Sequence, residues 1–106
     1  MLHRGLAFIV FLTLATHGLA QLNRGTITGS VTDSSGAAVP GAPVSVRSTQ
    51  TNALYKTETT ATGQYTMPNL PQGSYQVAIE MSGFKKFVQK DVELHVSERL
   101  GINVEL

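Results

Sequence analysis

Residues 75–81, with the sequence Tyr-Gln-Val-Ala-Ile-Glu-Met, decide the fold class of this 106-residue chain. Tyr75, Val77, Ile79 and Met81 occupy alternate positions, and a period of two places them on one face of an extended strand. Similar alternation recurs over residues 26–32, 43–47, 91–96 and 100–106, and shorter strands are predicted near 53–60, 64–68 and 84–89. No sustained apolar pattern of helical period follows residue 20, so the sequence predicts an all-β domain.

Turn-forming residues separate these strands at intervals of roughly 8–12 residues, which is typical of a β-sandwich. Asp33 begins a turn that ends at Gly36, in which its carboxylate can accept backbone N–H groups. Gly63 can adopt a positive φ, and residues 68–73 are predicted to form a rigid loop. Because each strand has one apolar face, two sheets must pack face to face. We therefore predict a seven-stranded antiparallel Greek-key β-sandwich whose core contains Ile27, Val31, Val44, Val46, Val77, Ile79, Leu94, Ile102 and Val104.

The start of the chain has the three parts of a secretory signal peptide. Arg4 supplies the positive charge, residues 6–15 form the apolar stretch, and Gly18 and Ala20 are the small residues before the cleavage site. An uncleaved membrane anchor would need about 20 mostly apolar residues, roughly twice this run. We therefore predict export to the periplasm, the outer membrane or the medium, with no membrane span after cleavage. The predicted domains are a helical signal peptide at 1–20 and an exported domain at 21–106.

The exported domain is electrically neutral and has no cysteine. Cleavage removes Arg4, one of the eight basic residues, and leaves seven basic against seven acidic side chains. A neutral domain has no electrostatic reason to bind nucleic acid or an anionic membrane. Without cysteine there is neither a disulfide nor a lipid anchor, so stability must come from packing and strand pairing.

Few residues of the exported domain have the chemistry of a catalytic or metal site. His95 is its single histidine, and no serine elbow accompanies it. Asp91 and Glu93 could form a carboxylate pair, but exposed strand faces carry such residues for solubility. Asp33 and the two serines after it could offer oxygens to calcium, although a calcium site needs about six or more ligands. We predict no catalytic, cofactor-binding or metal-binding residue.

The tyrosines are the remaining candidates for a binding site, because sandwich domains that bind sugars stack exposed aromatic rings against the sugar. Tyr55 is the one tyrosine predicted to be exposed, and a single ring is not a platform. The sequence around Tyr75 is like that of a tyrosine corner, in which a buried phenol hydrogen-bonds the backbone a few residues upstream. The predicted partner of Tyr75 lies within residues 70–72. Tyr65 is predicted to pack similarly. The residues predicted to have structural roles are Asp33, Gly36, Gly63, Tyr65, Gly73 and Tyr75.

The turn and strand residues together resemble the carboxypeptidase regulatory-like domain. Its opening is similar to Gly29-x-Val31-x-Asp33-x-x-Gly36-x-x-Val39-Pro40-Gly41-Ala42-x-Val44-x-Val46. Its second half is similar to Thr60-x-x-Gly63-x-Tyr65, Leu70-x-x-Gly73-x-Tyr75-x-Val77 and Gly83-Phe84. The resemblance covers residues 25–106 and implies a prealbumin-like (transthyretin-like) sandwich, grouped with starch-binding-like folds.

The resemblance implies that in bacteria such domains follow a signal peptide at the N-terminus of Oar-like TonB-dependent outer-membrane receptors. The expected function is that of a non-catalytic accessory or interaction domain of the cell envelope. The expected partner is an envelope protein, for example an outer-membrane β-barrel, and the alternative is a carbohydrate-binding module. Because the sequence stops at Leu106, we expect either a stand-alone relative or a fragment of a receptor.

Overall fold

The computed structural model describes residues 24–106, which form eight β-strands and no helix. The predicted signal peptide at 1–20 and the first residues of the predicted exported domain lie outside the described residues. The strands are β1 (Arg24–Thr32), β2 (Pro43–Ser48), β3 (Leu54–Glu58), β4 (Gln64–Pro71), β5 (Gly73–Ile79), β6 (Phe87–Leu94), β7 (Arg99–Gly101) and β8 (Val104–Glu105).

Two four-stranded sheets form the domain. The first sheet has the order β4-β1-β7, with β8 also paired to β1, and the second has the order β3-β2-β5-β6. The chain passes from one sheet to the other after β1, β3, β4 and β6. Apolar side chains of both sheets share one core, so the predicted all-β sandwich is confirmed.

The last predicted strand differs from expectation in two ways. It is divided into β7 and β8, which makes eight strands rather than seven, and both pieces run parallel to β1. The prediction of a wholly antiparallel sandwich is therefore wrong where β7 and β8 pair with β1. The division has a side-chain cause: Asn103 Oδ1 accepts a hydrogen bond from the Ser30 backbone N–H at 3.0 Å, in the position that a backbone carbonyl takes in a regular ladder.

Two β-bulges explain the other differences from the predicted elements. Residues 68–73 are not a loop, because β4 continues to Pro71 and pairs with the start of β1. The two segments predicted within 84–96 form the single strand β6. The pairing register shifts in both strands, beside Asn69 (φ 60°) and Asp91 (φ 58°). Asn and Asp tolerate positive φ better than most residues, so each strand continues past an irregular residue.

All nine predicted core residues are buried. Leu70, Val92, Tyr65 and Tyr75 complete the centre of the same cluster. Met81, which was predicted to share the inner face of one strand with Val77 and Ile79, lies beyond the end of β5 and is half-buried against the core. The alternation in the sequence therefore identifies the inner face of each sheet, and the outer faces and edges remain for contacts with other molecules.

Candidate interaction surfaces

Asp33 organises the turn between β1 and β2. Its Oδ1 accepts hydrogen bonds from the Ser35 hydroxyl at 2.6 Å, the Ser35 backbone N–H at 2.9 Å and the Ala37 backbone N–H at 3.0 Å. These bonds, led by that of the Ser35 hydroxyl, lower the pKa of the Asp33 carboxyl from its ordinary value. Gly36 completes the turn with φ 85° and donates its N–H to the Asp33 carbonyl. The carboxylate is thus used within the turn.

Gly63 and Tyr65 lie at the same end of the sandwich as the Asp33 turn. Gly63 has φ 76°, and a Cβ there would lie 2.7 Å from the Val31 carbonyl oxygen. Two residues later, the buried Tyr65 hydroxyl donates a hydrogen bond of 2.6 Å to the Ile102 carbonyl. Burial raises the pKa of Tyr65 to about 12. Tyr65 therefore fastens β4 to the segment between β7 and β8.

Gly73 and Tyr75 lie at the opposite end. A Cβ on Gly73, whose φ is 150°, would lie 2.6 Å from Gln50 Oε1. The Tyr75 hydroxyl donates to the carbonyl of Pro71, inside the segment 70–72 where the sequence predicts its partner. Burial and the neighbouring Tyr55 raise the pKa of Tyr75, against a smaller lowering by Arg24.

The six residues predicted from the sequence therefore form two groups at opposite ends of the domain. Each group shapes turns and strand ends, and the two do not converge on one site. What remains for binding is surface that the sequence analysis did not assign: two open grooves and the edge strands.

One groove, the end groove, opens beside Tyr75 and has a volume of about 420 Å³. Its lining is almost entirely polar, because the loops at this end bring together side chains from separate parts of the chain. Those residues are Gln50, Gln72, Gly73, Glu93, Leu94 and His95. Sequence reasoning missed this set since its members share no local motif.

The other groove, the outer groove, has a volume of about 620 Å³ and lies on the outer face of the second sheet. Its floor is formed by small side chains in register on neighbouring strands, Ser45 and Ala78. Lys56 and Lys86 lie on its walls with Glu58 and Glu80. The two lysines and the two glutamates balance in charge, and the Lys86 Nζ lies 4.0 Å from Glu80 Oε2.

Neither groove has catalytic chemistry in its geometry. His95 is exposed and follows the end of β6, and its backbone N–H donates to Glu98 Oε1. Glu93 Oε1 accepts the Ser74 hydroxyl at 2.6 Å, and Asp91 is exposed at the bulge. Within residues 24–106 no group of three His, Cys, Asp or Glu side chains is placed to hold a metal ion. The same residues contain no helix with the length and apolar character to cross a membrane.

The aromatic side chains form no stacking platform in the described part of the chain. Tyr55, expected to be exposed, is half-buried against the core. Phe87 is half-buried, and Phe84 is 39% exposed in the loop before β6. A sugar ring would therefore meet one phenylalanine rather than a pair of parallel rings.

The edge strands differ in how open they are. At one side of the sandwich β3 and β4 contact each other, and β4 carries Pro68, which has no N–H. At the other side β7 and β8 have only three and two residues. β6 has eight residues, and its first half, Phe87–Lys90, precedes the bulge and exposes Val88. An edge presents unpaired N–H and C=O groups, so Phe87–Lys90, the β6 edge, is the stretch best suited to accept a further strand.

Comparison with known proteins supports one family. Residues 26–106 match the model of the carboxypeptidase regulatory-like domain. The chain is 34% identical over 83 residues to the TonB-dependent transporter Oar of Myxococcus xanthus, covering 76% of this chain and 8% of Oar. The chain thus spans a small part of that relative.

Solved structures with the same fold include binding proteins and enzymes. A proposed carbohydrate-binding protein from Bacteroides uniformis is 25% identical with a TM-score of 0.61, over 76% of this chain and 40% of that chain. The catechol 1,2-dioxygenase of Acinetobacter radioresistens is 13% identical with a TM-score of 0.64, over 82% of this chain and 52% of the enzyme, and shows the fold alone. The fold by itself assigns no activity. The match over the whole sandwich shows that this chain belongs to the family of carboxypeptidase regulatory-like domains, which are regulatory rather than catalytic.

Proposed function

We propose that this domain is a non-catalytic interaction domain of the bacterial cell envelope that contacts a protein of the outer membrane. The single observation that carries the proposal is the 34% identity to a TonB-dependent transporter over 83 residues. The matched length is that of the sandwich, so the relative contains a domain of this kind.

Export is the first condition of this proposal. Cleavage after Ala20 would release a chain that begins at Gln21, three residues before β1. Mass spectrometry of the protein recovered from an envelope fraction tests this directly. A mature N-terminus at Gln21 is expected, whereas an intact Met1 in the cytoplasm would contradict export.

The contact is proposed to form along the β6 edge by addition of a strand from the partner. This mode of recognition uses backbone hydrogen bonds for affinity and outward side chains for specificity. Val88 is 40% exposed and in register with Ala78 on β5, and an outward side chain of the added strand would lie beside Val88. The neutral surface and balanced charges of the outer groove favour such a backbone contact over an electrostatic one.

The proposal is tested by comparing how much envelope protein is recovered by the unaltered chain and by two variants, each with a charge introduced at a different sheet edge. Val88→Glu places a carboxylate on the β6 edge, and Thr66→Glu places one at an exposed position of β4 as the matched control. We expect an envelope protein to be recovered by the unaltered chain and by Thr66→Glu, and to be lost with Val88→Glu. Equal recovery by all three proteins, or recovery by none, would contradict the proposed contact.

Carbohydrate binding is the second candidate, favoured by the likeness to the Bacteroides uniformis protein. The end groove would be the site, since amide, carboxylate and imidazole groups can hydrogen-bond sugar hydroxyls. Saturable binding on a glycan array that is lost in Glu93→Gln would establish it. Under the preferred proposal the array shows no saturable ligand.

A further inference from the structure

The first and last strands of the domain are parallel neighbours. β1 begins at Arg24 and runs beside β7 and β8 in the same direction, with Thr26 opposite Arg99 and Val31 opposite Val104. The described chain therefore starts at one end of the sandwich and reaches Leu106 at the other. Nine extended residues separate these ends by about 26 Å.

Hydrogen bonds join β1 to the C-terminal segment at every second residue of β1. Besides the regular ladder bonds of β1 with β7 and β8, four backbone bonds with N–O distances of 2.8 to 3.0 Å join the two segments, and Asn103 Oδ1 accepts from the backbone N–H and the hydroxyl of Ser30. The pairs, named with β1 first, are Arg24 with Ser97, Thr26 with Glu98, Thr28 with Ile102, Ser30 with Asn103 and Thr32 with Leu106.

Tension between the two ends of the domain would load this ladder in shear. Arg24 would be drawn backwards along β1 while Leu106 is drawn forwards, so the bonds along the whole length of β1 stretch together. The same ladder pulled from one end would break one bond at a time. Since β1 is also held by antiparallel pairing to β4 on its other side, it cannot leave the sheet without sliding.

We infer that this domain is mechanically strong along its strands and resists tension applied between its N-terminal and C-terminal ends. This resistance follows from the parallel course of β1 beside β7 and β8. It goes beyond the proposed envelope contact and does not depend on which partner the β6 edge binds.

Single-molecule force spectroscopy with two attachment geometries tests the inference. The chain has no cysteine, so introduced pairs define unique handles. Arg24→Cys with Glu105→Cys pulls along β1 and β8 in shear. Arg24→Cys with Arg99→Cys pulls apart the same ladder from one end, and the lost Arg24 side chain is common to both variants. Unfolding events are identified by the released length, about 3.4 Å per residue between the handles.

At one loading rate we expect a clearly higher unfolding force for the Arg24–Glu105 pair than for the Arg24–Arg99 pair. Asn103→Ala removes the two bonds that its side chain accepts from Ser30, and we expect it to lower the force more in the shear geometry. Forced unfolding reports the barrier for unfolding, so a variant that only lowers overall stability would weaken both geometries alike. Equal forces in the two geometries, or a higher force for Arg24–Arg99, would overturn the inference.

Discussion

At the scale of single residues, two tyrosine hydroxyls donate hydrogen bonds to backbone carbonyls. Tyr65 donates to Ile102 across the first sheet, and Tyr75 of the second sheet donates to Pro71, the last residue of β4 in the first sheet. Both rings are buried, so each phenol has lost water and depends on its protein partner. Removing either hydroxyl leaves a carbonyl without its donor.

Tyr75→Phe is expected to lower the free energy of unfolding by about 1–3 kcal/mol, because the Pro71 carbonyl loses its donor in a part-buried position. Chemical denaturation measures this change. Tyr55→Phe is the matched control on β3, where the ring is half-buried, and its effect should stay within about 0.5 kcal/mol. Equal losses in the two variants would mean that the corner hydrogen bond contributes nothing specific.

The lowered pKa of Asp33 predicts that the domain loses stability in acid. Its pKa is below the ordinary value of 3.8 in the folded protein, so the unfolded chain takes up the proton first as the pH falls. The stabilisation from Asp33 is therefore fully present above pH 3.8 and is lost as the pH falls through the lower folded pKa. Unfolding measured from pH 6 to pH 2 should show that Asp33→Ala is less stable than the unaltered chain near neutrality.

The same comparison at low pH supplies the control. The difference between the two proteins should shrink below pH 3.8, where the carboxylate is progressively protonated. A difference that stays constant over the whole range would show that the Asp33 effect comes from turn geometry rather than from its charge.

At the scale of elements, close approach of strands decides where glycine is required. A Cβ on Gly29 of β1 would lie 1.8 Å from the Ile102 carbonyl oxygen and 2.9 Å from the Tyr65 hydroxyl. The same oxygen accepts the Tyr65 hydrogen bond. Gly29 thus lets the segment between β7 and β8 lie against β1.

Gly29→Ala is expected to destabilise the domain by about 3 kcal/mol or more, because backbone must move to accommodate the methyl group. Gly101→Ala is the control, since a Cβ there has no atom within 4 Å and its φ is not in the left-handed region. Thermal or denaturant unfolding of the two variants measures the difference. A Gly29 variant as stable as the Gly101 variant would contradict the described packing of β1 against Ile102.

The strands were predictable where alternation is regular and were not where one residue interrupts it. Residues 26–32 and 43–47 nearly coincide with β1 and β2, because every second side chain there faces the core. β4 and β6 each contain a bulge at a residue with positive φ, Asn69 or Asp91. Alternation read from the sequence stops at such a residue, but pairing with the neighbouring strand continues beyond it.

At the scale of the whole molecule, the core was predictable and the binding surfaces were not. Burial follows the period of two, which the sequence shows directly. The outer groove and the end groove are assembled from residues on several strands and loops, and their proximity depends on strand order. The parallel course of β1 and β8 likewise depends on crossings between sheets, for which no local signal exists.

The sandwich core makes a direct prediction for stability. Ile79→Ala should cost about 2–5 kcal/mol, since Ile79 is fully buried between the sheets. Val88→Ala on the neighbouring strand is the control, and its exposed position should limit the change to about 0.5 kcal/mol. Denaturant unfolding that gives less than about 1 kcal/mol for Ile79→Ala would mean that this side chain does not face the core.

The central claim is that the domain contacts an envelope protein along the β6 edge. Site-specific photo-crosslinking in living cells tests it most directly, with the crosslinking residue at Gln89 on β6 and, as the control, at Thr66 on β4. We expect one discrete adduct with an outer-membrane protein from position 89 and none from position 66. Adducts of equal yield from both positions, or from neither, would contradict the account.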